Sequence, residues 1–217
     1  MTKAPKIFST LANAGLALLI VFLLVRPGGP VGTWWADRTD RIAERAQIRE
    51  VWETLSATRS LLGTGSPDVI AFTDYQCPFC RESESVLKEA QGEGIAIGVR
   101  HLPLARIHPH ATSAAIVSAC YQFVAPRQHA EVHERLMTFE DWPEGDLPPV
   151  DLARQIGEPD ARTRACMDSG MGAERVRQDS AAAATLGLRG TPAFVGPNGI
   201  VSGVPDLDDL RAIMREP

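Results

Sequence analysis

Two cysteines three positions apart, Cys77 and Cys80, stand where a short apolar run gives way to a helical pattern. That junction restricts the chain to folds that carry a buried strand straight into a helix. Val69-Ile70-Ala71-Phe72-Thr73 is too brief for a helix and partly β-branched, as a buried strand requires. Asp74-Tyr75-Gln76 turns the chain, and Cys77-Pro78-Phe79-Cys80 opens a helix running to Ala90. Pro78 suits a first turn, where its missing N–H costs nothing. Phe79, Ser83, Val86 and Ala90 recur on one face of that helix, with Glu82 and Glu84 in its first turns.

A cysteine at a helix N-terminus sits beside unpaired N–H groups and the positive end of the helix dipole. Both favour thiolate over thiol, so the pKa of Cys77 is expected to fall. Cys80, one turn on and on the same side, can attack a mixed disulfide formed at Cys77. The geometry therefore predicts Cys77 as exposed nucleophile and Cys80 as the more buried resolving thiol. Half a zinc site has the same spacing, but a four-cysteine site needs a second close pair. Cys120 and Cys166 are 46 residues apart and supply none. His129 and His133 have the i, i+4 spacing of a helical metal pair on a segment, Arg127 to Phe139, read here as a solvated helix. His108-Pro109-His110 reads as the start of a helix rather than a ligand set. No metal and no cofactor is expected.

From Ile7 to Val25 the chain carries no charge. A helix of that length covers roughly 28 Å, close to the hydrocarbon thickness of a bilayer. Lys3 and Lys6 precede it and Arg26-Pro27-Gly28-Gly29-Pro30 stops it, which predicts a cytoplasmic tip and a single span. A cleaved signal peptide is the alternative, although its apolar core is usually about 7–15 residues and ends in a small-residue cleavage site. Both readings export the rest of the chain. Pro27 to Gly32 is expected to be extended. Asp40 to Leu62 reads as a helix capped by Asp40, with Ile48, Val51, Trp52, Leu55 and Leu62 on an apolar stripe expected to lie on the following domain, pairing with another chain being the alternative, until Gly63-Thr64-Gly65-Ser66-Pro67 breaks it. A net charge of -5, a pI near 5.6 and the lack of any basic run exclude nucleic acid as a main partner.

The residues from Phe72 to Cys80 resemble the active-site segment of the DsbA-like group within the thioredoxin superfamily. Arg100-His101-Leu102-Pro103-Leu104 with His108-Pro109-His110-Ala111, and Gly190-Thr191-Pro192-Ala193-Phe194, resemble the strand, helix start and cis-proline loop that follow in that group. The resemblance spans Asp68 to Met214. It implies an α/β thioredoxin fold with a helical insertion at about 109–187, preceded by an N-terminal transmembrane helix. The expected division is a tip and anchor over 1–26, a linker and helix over 27–67, and the thioredoxin-like domain over 68–217. Strands are expected at 69–73, 95–102, 192–195 and 200–204, with an Asn198-Gly199 hairpin turn, helices Ala111–Val124 and Ala173–Leu186, and a last helix over 206–214.

The resemblance also implies roles. Pro78 and Phe79 belong to the active-site loop, and Thr191, before a cis Pro192, faces both the sulfurs and a substrate strand. An ordinary trans turn proline is the competing reading. Cys120 and Cys166 fall in the insertion, where some members carry a second disulfide; two buried free thiols are the alternative. The chain departs from the group at Ala71, where a buried carboxylate usually accepts the resolving thiol's proton. Asp74 is a doubtful equivalent by strand alternation, which leaves water or Glu82 as the route. Phe79 stands where the best-known DsbA has histidine.

The expected function is that of an exported, membrane-anchored thiol–disulfide oxidoreductase. It would form disulfides in extracytoplasmic proteins and be reoxidised by a quinone-linked, DsbB-like membrane partner. It would be a single-pass protein of the inner membrane with its catalytic domain on the periplasmic side. A reductase or isomerase kept reduced by another membrane protein, and a redox-inert binding protein or chaperone on the same fold, are the alternatives.

Overall fold

The computed structural model describes residues 7–57, 61 and 65–214. The expectations placed on Lys3, Lys6, Leu62, Gly63 and Thr64 lie outside the described residues. The chain divides into two compact units, Met1–Glu44 and Arg45–Pro217.

The first unit holds helix α1 (Ile7–Val25) and the start of α2 (Pro30–Ser56). Among the described residues, the helical stretch that starts in α1 is the one long and apolar enough to cross a membrane. The side chains of Leu16 to Val25 are exposed. The segment from Pro27 to Gly32 is not the extended linker its composition suggests. Gly28 takes a left-handed φ of +84°, Gly29 N–H donates to Arg26 O at 2.8 Å, and α2 begins at once with Pro30. Proline in a first turn forfeits no intrahelical bond, which is why the helix starts ten residues before Asp40. Asp40 lies inside α2 and caps nothing.

In the second unit a four-stranded sheet runs in the order β2-β1-β3-β4. Strand β1 (Val69–Thr73) pairs parallel with β2 (Ile97–His101) and antiparallel with β3 (Ala193–Gly196), which pairs antiparallel with β4 (Gly199–Ser202). All five residues of β1 are buried because helices cover both faces. Val69, Ala71, Ile97, Val99 and Phe194 pack with Leu87 and Ala90 of α3 (Pro78–Gly92) and with Leu210 and Ile213 of α9 (Leu207–Met214). Ile70, Phe72, Ala193 and Val195 point the other way, toward Ile48 and Leu55 of α2 and Ala183 of α8 (Met171–Thr185). The continuous apolar run is thus two alternating sets, each with its own helix pair. The C-terminal part of α2 lies on its own domain.

The hairpin turn is centred on Pro197 and Asn198, one residue earlier than Asn198-Gly199, since Gly196 already pairs with Gly199. Asn198 N–H donates to Ile213 O at 3.0 Å and its side-chain amide to Met214 O at 3.2 Å. The end of α9 therefore sets the turn. The reciprocal bonds between Asp206 and Asp209, 2.8 and 3.0 Å, form a capping box at the start of α9.

Between β2 and β3 lie α4 (Ala111–Val124), α5 (His129–Met137), α6 (Pro149–Ile156), α7 (Ala161–Asp168) and α8. The shared core of α4 to α7 joins Val117, Tyr121, Leu136, Leu152 and Ile156 to Tyr75, Cys77 and Cys80. A disulfide links Cys120 of α4 to Cys166 of α7. A Cβ on Gly172 would come within 2.7 Å of the Cys120 sulfur, so α8 carries glycine where it passes the bridge.

One buried charge knits three elements together. Arg100 of β2, 1% exposed, donates to the carbonyls of Thr54 (2.6 Å) and Leu55 (2.6 and 3.2 Å), which end α2, and to Asp179 Oδ1 of α8 at 3.1 Å. Asp179 also accepts from His101 N–H at 3.1 Å and lies 3.3 Å from Arg175 Nε, and its Oδ2 is 2.8 Å from His101 Nδ1.

Two stability predictions follow from these ties. Arg100→Met should destabilise the fold by about 3 kcal/mol, because it strands a buried carboxylate and two helix-end carbonyls; urea denaturation reads the loss directly. Cys120→Ala with Cys166→Ala should cost up to about 4 kcal/mol through the 46-residue loop that the bridge closes. The same loss should appear in the wild type on reduction, measured as a fall in Tm.

Candidate active site

The cysteine motif sits at the carboxyl end of β1, where the chain leaves the sheet for α3. Cys77 is the N-cap of α3, with extended φ, ψ of -73° and 120°, and Pro78 is the first helical residue. Cys77 O accepts from Cys80 N–H at 3.1 Å and from Arg81 N–H at 3.3 Å, closing the first turn. The buried stripe of α3 is Cys80, Ser83, Leu87 and Ala90. Phe79 does not share it: the ring is 57% exposed, because the 3.6-residue period that turns Cys80 inward turns its neighbour out. Val86 is half-buried beside the stripe.

Both sulfurs are free thiols. Cys77 is covered more than expected of an exposed nucleophile, at 4%, against 1% for Cys80. The cause is the loop opposite: the Thr191–Pro192 bond is cis, and the Cys77 thiol donates to Thr191 O at 3.4 Å. Pro192 O in turn accepts from Gly203 N–H at 2.9 Å.

The Cys77 pKa falls from about 9 to about 5. The largest cause is a hydrogen bond from the Cys80 thiol. Burial opposes the fall, while the Thr191 side chain and the N–H groups of Cys80 and Phe79 support it. The helix end therefore contributes as expected, but less than the neighbouring sulfur. The same bond, together with burial, pushes Cys80 far up, so the proton stays on the inner sulfur.

Cys80 Sγ also accepts a bond from the Asp74 N–H at 3.5 Å. Asp74 is the residue the sequence reading undervalued. Its carboxylate is wholly buried and accepts from Gln76 N–H at 2.9 Å and Leu104 N–H at 2.8 Å, with His108 Nδ1 at 2.8 Å. Gln76 Oε1 accepts from His110 N–H at 2.6 Å, a second tie to the same loop. Glu82 is exposed. The pattern Asp-x-Gln before the motif was visible in the sequence, but its partners come from a loop about 30 residues away.

Below the motif, Tyr75 is fully buried and bonds Ser118 Oγ at 2.6 Å and His133 Nδ1 at 3.0 Å. Ser118 Oγ lies 3.0 Å from His129 Nε2, and His133 Nε2 lies 3.2 Å from Glu84 Oε1. His129 and His133 are each 3% exposed, so α5 is not the solvated helix the spacing suggested. They are internal hydrogen-bonding groups, and burial holds His129 well below its ordinary pKa. Among the described residues, no group of three or more His, Cys, Asp or Glu side chains is placed to hold a metal ion.

Residues 63–216 match the family Thioredoxin_4, described as thioredoxin. The chain is 32% identical over 193 residues to a Na(+)/H(+) antiporter NhaA 3 of Salinispora tropica, a match covering 79% of this chain and 28% of that protein. An NhaA 1 of Salinispora arenicola is 31% identical over 58% of this chain and 19% of its own length. The chain thus spans less than a third of the length of the curated relatives it matches. Among solved structures, the thiol-disulfide exchange protein alpha-DsbA2 of Wolbachia pipientis aligns with a TM-score of 0.66 at 18% identity, over 81% of this chain and 96% of that one. A linker-deleted, N6K form of Proteus mirabilis ScsC gives 0.61 at 18% identity over 99% and 97%, and oxidised BdbD of Bacillus subtilis 0.55 at 20% over 67% and 84%. The strand order, the helices inserted between β2 and β3, and the cis-proline loop facing a Cys-x-x-Cys helix end agree with these likenesses. The chain belongs to the thioredoxin family, with the fold of its DsbA-like members.

Proposed function

We propose that the chain is a DsbA-type thiol–disulfide oxidoreductase that donates disulfides to extracytoplasmic proteins. The observation that carries this reading is Cys77 at the N-cap of α3 with Cys80 buried one turn on, both facing the cis-Pro192 loop; this placement draws the Cys77 pKa down to about 5 and pushes that of Cys80 far up. In the oxidising direction a substrate thiolate attacks Cys77 Sγ of the Cys77–Cys80 disulfide, and Cys80 leaves and takes up a proton. A second substrate thiolate attacks the mixed disulfide at the substrate's sulfur. The substrate leaves with its own disulfide, and Cys77 departs as thiolate. A stable Cys77 thiolate is a good leaving group and favours the dithiol over the disulfide, which makes the disulfide an oxidant. That argument supports oxidase over reductase or isomerase. Thr191 offers its backbone beside Cys77 to a substrate strand, and the exposed Phe79 offers it an apolar contact.

Helix α1, with 19 residues and exposed apolar side chains from Leu16 to Val25, supports anchorage in the inner membrane with the second unit on the periplasmic side. The relatives named as antiporters, which move ions across membranes, support a membrane setting for the matching segment. Reoxidation then falls to a quinone-linked membrane partner of DsbB type.

The pH dependence has a definite sign. The folded pKa of Cys77 lies below its ordinary value, so the ionised sulfur stabilises the reduced protein fully above about pH 9. That stabilisation is lost as pH falls to about 5. Iodoacetamide should therefore label Cys77 with a half-maximal rate near pH 5, and a midpoint near 9 contradicts the thiolate. Insulin reduction should disappear in Cys77→Ala; equal activity of variant and wild type defeats the enzymatic reading. Alkylation trapping in cells should find the pair mostly oxidised, and a mostly reduced pair defeats the oxidase direction.

A further inference from the structure

In the resting dithiol the Cys80 sulfur sits one helical turn from Cys77, whose ionised form its proton favours, and accepts from the Asp74 N–H at 3.5 Å. Once Cys77 is tied up in a mixed disulfide, it is no longer an anion and that coupling is lost. Resolution then requires Cys80 to lose its proton and attack, and the Asp74 N–H is the backbone donor already aimed at that sulfur. The position usually filled by a proton-accepting carboxylate is Ala71, 3% exposed in the sheet, which offers neither charge nor hydrogen bond. The carboxylate that lies close by is engaged elsewhere. Asp74 is bound by three donors, one from its own turn and two from the 104–108 loop, so its side chain acts as a brace.

Building on the thiol–disulfide reading above, we propose that Asp74 is the positioning residue for the resolving step. Its side chain, clamped by Gln76, Leu104 and His108, holds its own peptide N–H on Cys80. The step, taken when the dithiol is reoxidised and so the reverse of the first oxidising step, is Cys80 thiol plus the Cys77–substrate disulfide, the substrate here being the oxidising disulfide, giving the Cys77–Cys80 disulfide plus substrate thiol. The Cys80–Cys77 S–S bond forms and the Cys77–substrate S–S bond breaks. Cys80 is oxidised, the substrate sulfur is reduced, Cys77 stays at the disulfide level throughout, and the proton shed by Cys80 is taken up by the departing substrate sulfur. A fixed N–H on the attacking sulfur stabilises the charge it gains on losing that proton. His108 is 16% exposed, so the brace reaches the surface through an imidazole on the loop beside the motif.

The roles of side chain and backbone separate in Asp74→Asn. It keeps the peptide N–H and the side-chain size, but sets an amide NH2 against the donors at Leu104 and His108. His108→Ala removes one donor and leaves the carboxylate in place. In stopped-flow mixing of the reduced full chain with a disulfide-bonded peptide, attack by Cys77 and release of the second peptide thiol are read as separate phases. Release should slow on the order of tenfold in Asp74→Asn and about threefold in His108→Ala, with attack changed by less than about twofold in each. Unchanged release, or equal slowing of both phases, overturns the proposal. If Asp74→Asn does not fold, His108→Ala decides alone by the same criterion. Absence of any mixed disulfide at Cys77 in the wild type is a different failure: it defeats the underlying thiol–disulfide reading and takes this proposal with it.

Discussion

The electrostatic coupling of the Cys77 and Cys80 sulfurs across one helical turn is the interaction on which the site depends. It moves the two pKa values in opposite directions, giving one sulfur that is ionised and one that keeps its proton. Such a division needs the two side chains on one side of a helix end, with the outer one at the N-cap and the inner one in the first turn. It also needs a scaffold that does not yield, because a small drift of either sulfur returns both to ordinary thiols. The rest of the second unit supplies that rigidity.

The sheet and the insertion brace the motif from two sides. From the sheet side, β1 is fully buried and delivers Asp74 and Cys77 from a fixed point. From the insertion side, Tyr75, Cys77 and Cys80 pack in one core with α4, α5, α6 and α7, which the Cys120–Cys166 bridge holds together. Arg81 adds a polar tie, its guanidinium donating to Phe139 O at 2.7 Å. The buried network of Tyr75, Ser118, His129 and His133 satisfies its own polar groups inside this core, as buried polar atoms require. A helical insertion in a thioredoxin core is therefore the outer wall of the thiol site as well as an enlargement of its surface.

Loops, not helices, distinguish this site from a bare helix end. The cis-proline loop lays the Thr191 carbonyl on Cys77, and the 104–110 loop is pinned through Asp74 and Gln76. The first leads into β3 and the second leaves β2, the two strands that flank β1, so the sheet order β2-β1-β3 brings both to the end of β1 that carries the motif. The parallel β1–β2 pairing sets His101 against Thr73 and carries the chain on toward Leu104 and His108 at the level of the motif.

The sequence by itself determined the local features: an apolar helix, a buried strand, a proline-started helix carrying two cysteines in one turn, and a Thr-Pro loop in sequence order behind them. These follow from periodicity, backbone restriction and spacing, which act within a few residues. Boundaries went astray where a neighbour from elsewhere decided them, as at the hairpin turn held by the end of α9. Tertiary structure alone decided which side chains face the sulfurs. Periodicity placed Phe79 with the buried stripe although the helix turns it outward. It read His129 and His133 as solvated although α4 and Tyr75 enclose them. It gave Asp74 no partners, because those partners sit on a loop brought alongside by strand pairing. A one-dimensional pattern records which residues are polar; only the fold records what each polar atom meets.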